Sequence, residues 1–174
     1  FRGGARNQEV DFIVGENFIL TVRYEVIGSI HNLHKVFEAE RLLGTVTEVE
    51  GPALLERIMS RLYGAMRDEM ETVAASLERI ERDIFSGKER RTVRTISEVA
   101  RVLLRFDTSL MRHEEPLAEF LKHLSLPAFF GKGFSRVAGR VESERAHVEA
   151  LVASDRAVTK ELRETNDSLL STSQ

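Results

Sequence analysis

The spacing of hydrophobic residues changes near residue 25, and the change separates a strand-forming start from a helix-forming remainder. Residues 10–14 and 18–24 are short runs rich in β-branched and aromatic residues, and they flank Gly15-Glu16-Asn17. Glycine and asparagine accept the backbone angles of a tight turn, so the pattern predicts a β-hairpin. Because two strands alone are marginally stable, we expect them to be the edge of a larger sheet.

After residue 25 the apolar residues recur every three or four positions, as they do on one face of an α-helix. Residues 29–43 predict a first helix, with Ser29 as its N-cap and Gly44 as its end. The predicted apolar stripe of this helix consists of Ile30, Leu33, Val36, Phe37 and Leu42.

Two much longer helices are predicted over residues 52–85 and 92–124. Ser86-Gly87 ends the first of them, and a link this short requires the two helices to run antiparallel. Their apolar stripes are therefore expected to pack against each other. The predicted core positions are Leu55, Ile58, Met59, Leu62, Met66, Met70, Val73, Leu77, Ile80 and Ile84, followed by Val93, Ile96, Val99, Leu103, Phe106, Leu110, Leu117, Phe120, Leu121 and Leu124.

A last helix is predicted from Phe134 onward, and it shows no stop signal before Gln174, which suggests that it continues beyond the sequence. At 1.5 Å per residue it exceeds roughly 55 Å, and the hairpin helices approach roughly 50 Å. Such lengths are typical of coiled-coil stalks and oligomeric funnels. The apolar positions of this helix are Val137, Val141, Val148, Leu151, Val152, Val158, Leu162 and Leu169.

These elements together predict an α+β fold that is predominantly helical. Residues 1–50 are expected to form the C-terminal part of an α/β sheet subdomain that contributes its edge strands. Residues 51–126 are expected to form the long antiparallel helix hairpin, and residues 132–174 a long stalk helix.

Composition excludes several classes of function. The chain has no cysteine, which excludes a disulfide scaffold, a thiolate zinc site and a cysteine nucleophile. Its longest apolar runs are strand-sized, whereas a bilayer span needs about 20 apolar residues, and no signal-peptide pattern opens the chain. Nucleophile-elbow, phosphate-loop, zinc-protease and dinucleotide motifs are absent from the sequence, so we do not predict an enzyme.

The charge pattern does not predict a nucleic-acid partner. The formal net charge is -3, which argues against global binding of polyanions. A basic stretch runs through residues 88–105, but it lacks interleaved aromatic residues and any nucleic-acid motif. We interpret it as a solvated helix face whose cations pair with acidic residues of the preceding helix, Glu71, Glu78 and Glu81.

Histidine and carboxylate side chains on the first helix have the spacing of a zinc site. His31 and His34 lie three residues apart, and Glu38 follows four residues later, so all three share one helix face. The simpler interpretation is a solvated polar face, because a metal site usually has an inward-facing setting and supporting hydrogen bonds.

The last helix carries a series of acidic residues with one histidine among them. On a single helix these are ordinary surface charges, whereas on the central helix of a symmetric oligomer each becomes a ring of carboxylates, as in cation pathways. The candidate ion-binding residues are Glu142, Glu144, His147 and Asp167, and Glu149 and Asp155 share the helix.

Four segments, taken in order, resemble the cytosolic domain of CorA-type divalent metal ion transporters. The segment Asp11-Phe-Ile-Val-Gly-Glu-Asn-Phe-Ile-Leu-Thr-Val22 is similar to the final strand pair of that domain. Leu77-Glu-Arg-Ile-Glu-Arg-Asp-Ile-Phe85 resembles the end of its first long helix, and Pro116-Leu-Ala-Glu-Phe-Leu-Lys-His-Leu124 resembles a segment of the second. Residues 166–174 resemble the stalk just before the first transmembrane helix. The resemblance covers the chain from about Val10.

The resemblance implies a regulatory funnel domain on the cytoplasmic side of an inner (plasma) membrane. Five stalk helices would form a homopentameric funnel, and divalent cations bound between protomers would favour the closed pore. The ion implied first is Mg²⁺, with Co²⁺ or Zn²⁺ as alternatives, and the membrane would be reached through C-terminal helices outside this sequence. The competing interpretation is a soluble helical-hairpin or coiled-coil scaffold with no transport role.

The chain departs from the family pattern at the expected regulatory site. The stalk aspartate of the family falls on Ser143, between Glu142 and Glu144, and the paired acids of the first long helix fall on Gly64 and Ala65. The acid nearest the membrane end of the stalk is retained as Asp167. We therefore assign Asp167 to the ion route and Glu142 and Glu144 as substitute regulatory ligands, with His147 shifting the preference toward zinc or cobalt.

Overall fold

The computed structural model describes residues 9–16, 18–44 and 50–172. The elements are, in chain order, β1 (Val10–Val14), β2 (Ile19–Arg23), α1 (Gly28–Leu42), α2 (Gly51–Phe85), α3 (Glu89–Leu124), a short 3₁₀ turn (Lys132–Phe134) and α4 (Ser135–Thr172). The predominantly helical α+β class predicted from the sequence is confirmed. Asn17, in the predicted hairpin turn, lies outside the described residues.

Strands β1 and β2 pair antiparallel, with Phe12 opposite Thr21 and Ile13 opposite Leu20. Alternate residues are half-buried, as expected for a strand pair with one packed face. Phe12 lies on that face, with its ring centre 6.4 Å from the ring centre of Phe120 in α3. The other face exposes Ile13, Leu20 and Val22 at 38–51%. Membership of a larger sheet stays a prediction.

The helices form where the periodicity predicts them, and two of their ends are set by glycine. Gly44 after α1 and Gly87 after α2 both have positive φ angles, of 66° and 75°. Glycine alone adopts this conformation without steric cost, so both residues end their helices as predicted. The N-cap prediction for Ser29 is wrong, because α1 begins at Gly28 and Ile27 is its N-cap, with no side-chain capping bond.

The chain forms two compact units, and each is built from parts of the same long helices. The first unit contains Phe1–Ala65 and Ala118–Glu142, and the second contains Met66–Leu117 and Ser143–Gln174. The division therefore falls inside α2, α3 and α4. The boundaries predicted from the sequence, at residues 50, 126 and 132, stay a prediction about domain organisation.

In the first unit, α1 is attached to the start of α2 through one arginine. The Arg57 guanidinium donates to both carboxylate oxygens of Glu40, at 2.9 and 3.2 Å. The central guanidinium carbon, Cζ of Arg57, also lies 4.3 Å from the centre of the Phe37 ring, within the range of a cation–π contact. The buried residues that complete the core of this unit include Ile30, Leu33, Leu55, Met59, Leu121, Leu124, Phe134 and Val141.

In the second unit, α2 and α3 form the predicted antiparallel hairpin, and α4 packs alongside them. The turn between α2 and α3 is closed by backbone bonds from Gly87 and Lys88 to Ile84 and Asp83, and by the Lys88 ammonium, which donates to Asp83 at 2.7 Å. The buried residues of this unit include Met70, Val73, Leu77, Ile80, Ile84, Ile96, Val99, Leu103, Leu110, Val148, Val152 and Leu162.

Three predicted core positions are wrong. Leu42 is 88% exposed. It is the last residue of α1, whereas the buried residues of that helix, Ile30 and Leu33, lie in its first two turns. Val93 and Val158 are 45% and 40% exposed. In both cases the adjacent threonine, Thr92 or Thr159, occupies the buried position instead, at 3% and 4% exposure.

Among the described residues, no helix is both long and apolar enough to span a membrane.

Candidate functional site

Helix α4 carries the residues that the sequence assigned to the ion, and its buried face determines how they are presented. Val141, Val148 and Val152 are at most 2% exposed. Further along the same face polar residues are buried as well, with Thr159 at 4% and Asn166 at 1%. The residues on the opposite side of α4 therefore lie toward solvent.

Three ion pairs in the second unit join α4 to the hairpin. Glu144 pairs with Arg67 of α2, Arg145 with Glu114 of α3 at 3.5 Å, and Arg156 with Asp107 of α3. Partners on α3 move toward its N-terminus as partners on α4 move toward its C-terminus, so these two helices run antiparallel.

Arg145 differs from the other two cations because its residue is only 8% exposed. Its guanidinium also donates to Glu149 at 3.1 Å. A buried charge is costly unless it is paired, so the two carboxylates explain how an arginine occupies the apolar face of α4.

A buried polar contact joins the C-terminal part of α4 to the first turn of α3. The Thr92 hydroxyl oxygen lies 2.8 Å from the Glu89 carbonyl oxygen and 2.7 Å from the Asn166 side-chain oxygen. A hydroxyl has one proton to donate, so both contacts are satisfied when Thr92 donates to Glu89 and the Asn166 amide group turns its NH₂ toward Thr92. This contact fixes the register of α4 against the hairpin near Thr92.

The face of α4 opposite its buried face is formed by small residues. Ser143, Ala146, Ala150, Ala153 and Ala157 are all exposed, and they follow one another at alternating steps of three and four. We call these five residues the small-residue stripe. Its period is that of a left-handed coiled coil, and small residues allow helix backbones to approach closely.

Two acidic residues continue the small-residue stripe toward the C-terminus of α4. Glu161 and Glu164 are exposed and follow Ala157 by four and seven residues. The acids selected from the sequence did not include either residue. The helical phase relative to Val148 and Val152 is the signal that identifies them.

The four candidate ion-binding residues lie in different environments. Asp167 and His147 are exposed, and Glu142 is half-buried. The carboxylate of Glu144 is engaged by Arg67, so it is not free to bind an ion unless that pair opens. Within residues 9–16, 18–44 and 50–172, no group of three or more acidic or histidine side chains is arranged to hold a metal ion.

The histidines of α1 do not form a zinc site in the described structure. His34 Nε2 lies 3.2 Å from Glu38 Oε1, and both side chains are more than 60% exposed. The pair is a surface contact between residues one turn apart, which agrees with the simpler interpretation of this face.

Asp155 lies on the edge of the buried face of α4, and burial raises the pKa of its carboxyl above the ordinary value of 3.8. A raised pKa means that ionisation costs stability in the folded state. The cost is absent below the unfolded-state pKa, develops as the pH rises, and is complete above the raised folded-state pKa.

We expect Asp155→Asn to be more stable than the wild type at neutral pH, by less than about 1 kcal/mol because the side chain is half-exposed. The difference should disappear in acid, where the wild-type carboxyl is protonated in both states. Urea unfolding at neutral and acidic pH measures this. Glu161→Gln, at an exposed position of the same helix, is the control, and an equal gain in that variant would contradict the burial argument.

The class of protein is a helical domain in which an antiparallel helix hairpin packs against a third helix. That third helix, α4, has 38 residues, and its outer face is exposed. The family model for the CorA-like Mg²⁺ transporter protein matches residues 2–174. The chain therefore belongs to the CorA-like Mg²⁺ transporter family, which confirms the resemblance seen in the sequence. Among curated proteins, none matches the chain.

A solved structure has the same fold. It is the complete CorA magnesium transporter from Methanocaldococcus jannaschii, with a TM-score of 0.79 at 21% sequence identity. The match covers 93% of this chain and 50% of that one, so the chain spans half the length of the solved transporter.

Proposed function

We propose that this chain is the cytosolic regulatory domain of a CorA-type divalent cation transporter whose cargo is Mg²⁺, and that it performs no enzymatic reaction. The observation that carries the proposal is the family match over residues 2–174. In the proposed protein the chain lies on the cytoplasmic side of the plasma membrane, and α4 leads toward membrane-spanning helices. Gating would occur by metal-dependent rearrangement of α4.

The proposed assembly is a homopentamer in which the small-residue stripes of five α4 helices face one another. A single copy leaves this stripe in solvent, although its heptad spacing and small side chains suit close packing of helices. A leucine-rich stripe would hold the helix axes further apart, whereas alanine and serine allow the backbones to approach closely. The stripe thus supports α4 as the central helix of the assembly.

Carboxylates at the C-terminal end of α4 are the proposed ion-attracting groups. Asp167 is exposed, and in a ring each copy repeats it at the same level. Glu161 and Glu164 follow the small-residue stripe and would add two further rings. Like charges brought together repel, so a bound divalent cation would stabilise the closed assembly. Carboxylate oxygens are the ligands that Mg²⁺ prefers.

Glu142, Glu144 and His147 are the proposed regulatory ligands around Ser143. In one copy the Glu144 carboxylate is held by Arg67, so metal binding there has to compete with an arginine. The site would need ligands from a neighbouring copy, since three such groups do not converge within the described residues of one chain. His147 would favour zinc or cobalt over magnesium if it joined the ligand set.

Magnesium uptake by the full-length protein in vesicles tests the function. We expect the wild type to take up Mg²⁺ and Asp167→Ala to alter the flux, because the variant removes one charge from every copy near the pore mouth. Glu71→Ala removes an exposed acid from α2 and serves as the control. Absence of Mg²⁺ uptake by the wild type would reject the transporter proposal, and uptake of Zn²⁺ alone would reassign the cargo.

Limited proteolysis with and without Mg²⁺ tests the regulatory ligands separately. The double variant Glu142→Ala/Glu144→Ala should lose the metal-dependent protection of α4, while Glu71→Ala should keep it. If flux in Asp167→Ala and protection in the double variant both match the wild type, the acids of α4 are structural. A full-length protein that stays monomeric in detergent and lacks uptake would favour the scaffold interpretation.

A further inference from the structure

The turn that joins α2 to α3 forms a positively charged end on a negatively charged chain. Residues 82–94 contain five basic and two acidic side chains, whereas the whole chain has a net charge of -3. The two acids leave an excess of three positive charges in this segment, and Lys88 is the cation that pairs with Asp83, at 2.7 Å. The end of the hairpin therefore has an uncompensated positive charge.

Two of these cations form no ion pair in the described part of the chain, although the charge of Arg91, after the larger effect of the Lys88 hydrogen bond, helps to lower the pKa of the Asp83 carboxyl. Arg94 pairs with Glu98 at 2.9 Å, and Arg82 lies 3.9 Å from Glu78. Arg90 and Arg91 are exposed, and neither forms an ion pair within the described residues. The solvated helix face expected from the sequence describes the exposure of both arginines, but neither forms a direct ion pair with an acid of α2.

An exposed aromatic residue lies at the same end of the hairpin. Phe85, the last residue of α2, is 69% exposed, and Val93 in the first turns of α3 is 45% exposed. We call Phe85, Lys88, Arg90 and Arg91 the tip cluster. Aromatic side chains next to arginine and lysine are the composition of segments that rest at the interface between water and lipid headgroups.

The tip cluster lies at the end of the second unit where α4 terminates. Asn166 of α4 contacts Thr92, which follows Arg91 directly. Helix α4 continues from Asn166 to Thr172, about 9 Å further at 1.5 Å per residue. The tip cluster is thus level with the last turns of α4, which is the end that faces the membrane in the proposed function.

We propose that the tip cluster binds the surface of a bilayer that contains anionic phospholipids, with Arg90 and Arg91 on the headgroup phosphates and Phe85 inserted among the headgroups. Lys88 stays paired with Asp83 across the turn, so Arg90 and Arg91 carry the attraction to the headgroups. An anionic bilayer is the proposed partner because its charge is complementary to that of the tip cluster. Each arginine or lysine near an anionic leaflet strengthens binding about fivefold. The inference rests on the proposed function for the presence of a membrane beside α4.

Sedimentation of the 174-residue chain with vesicles tests the proposal without measuring transport. The vesicles contain phosphatidylcholine alone, or phosphatidylcholine with about one third phosphatidylglycerol, so that only the second carries a negative surface potential. We expect binding to the anionic vesicles alone, weakening as added salt screens the surface charge. Arg90→Gln/Arg91→Gln should lower the partition coefficient roughly 10- to 25-fold, and Phe85→Ser should lower it several-fold.

A matched variant separates the tip cluster from net charge. Arg61→Gln/Arg136→Gln removes two exposed cations from the first unit and should bind within about twofold of the wild type. Circular dichroism checks that each variant is folded. Arg90 and Arg91 lie in the first turn of α3, where cations are unfavourable to the helix, so their removal should not destabilise the chain.

Three results would overturn the proposal: equal binding of the wild type to neutral and anionic vesicles, unchanged binding of Arg90→Gln/Arg91→Gln, or equal weakening in Arg61→Gln/Arg136→Gln. Tighter binding to a DNA duplex than to anionic vesicles would assign the cluster to nucleic acid instead. Failure of Mg²⁺ uptake by the full-length protein would leave the vesicle result intact, so the two proposals fail independently.

Discussion

Leu77→Ala is expected to lower the free energy of unfolding by about 2–5 kcal/mol. Leu77 is 3% exposed in the middle of α2, and Val73 and Ile80 beside it on the same face are 0% and 2% exposed. The substitution removes buried methyl groups and leaves a cavity that neighbouring side chains fill only in part. Urea unfolding followed by circular dichroism measures the loss.

Leu104→Ala is the matched control for this prediction. Leu104 lies in α3 in the same unit, but its side chain is 54% exposed. The same chemical change should therefore alter the unfolding free energy by less than about 0.5 kcal/mol. Equal losses in the two variants would mean that Leu77 is not in the core, and that the helical phase assigned to α2 is wrong.

The helix hairpin could be predicted because its core uses large apolar side chains at regular spacing. Met70, Val73 and Ile84 repeat the pattern over many turns, and a single misplaced residue does not change the phase. Glycine then marks the end of α2, since Gly87 has a positive φ of 75°. Periodicity and turn chemistry agree along this part of the chain.

Periodicity misplaced the core where polar residues occupy buried positions. At the start of α3 it selected Val93, although Thr92 is the buried residue because its hydroxyl contacts Asn166 of α4. Later in α4 it selected Val158 instead of Thr159, whose hydroxyl donates to the Asp155 backbone carbonyl oxygen at 2.6 Å. A hydrophobicity pattern cannot detect polar residues that satisfy their hydrogen bonds locally or across a helix contact.

The candidate site, too, could be predicted from the sequence only in part. Asp167 and His147 could be selected from the sequence because aspartate and histidine are metal-binding residue types wherever they lie on the helix. The small-residue stripe could not, since alanine and serine give little hydrophobic signal on either face of a helix. The stripe is recognised only after Val148 and Val152 fix which face of α4 is buried. The pairing of Glu144 with Arg67 likewise depends on packing of α4 against α2.

In the first unit, an aromatic cluster fixes the link that leads into α4. Phe134 is 1% exposed, and its ring centre lies 5.2 Å from that of Phe130 at an interplanar angle of 49°. A β-carbon added at Gly51 would come within 2.7 Å of the Phe130 ring, so the start of α2 lies directly against this ring. Gly131 accommodates the turn between the two phenylalanines with a φ of 67°.

Phe134→Ala is expected to cost about 3–5 kcal/mol of unfolding free energy, because it removes a fully buried ring and the aromatic contact with Phe130. Phe129→Ala is the control, since that ring is 40% exposed in the same segment and its loss should cost far less. Thermal and urea unfolding measure both variants. A loss in Phe134→Ala no greater than in Phe129→Ala would show that the aromatic cluster does not hold the link. In that case the start of α4 would depend on Val137 and Val141, which are 8% and 2% exposed, for its attachment to the first unit.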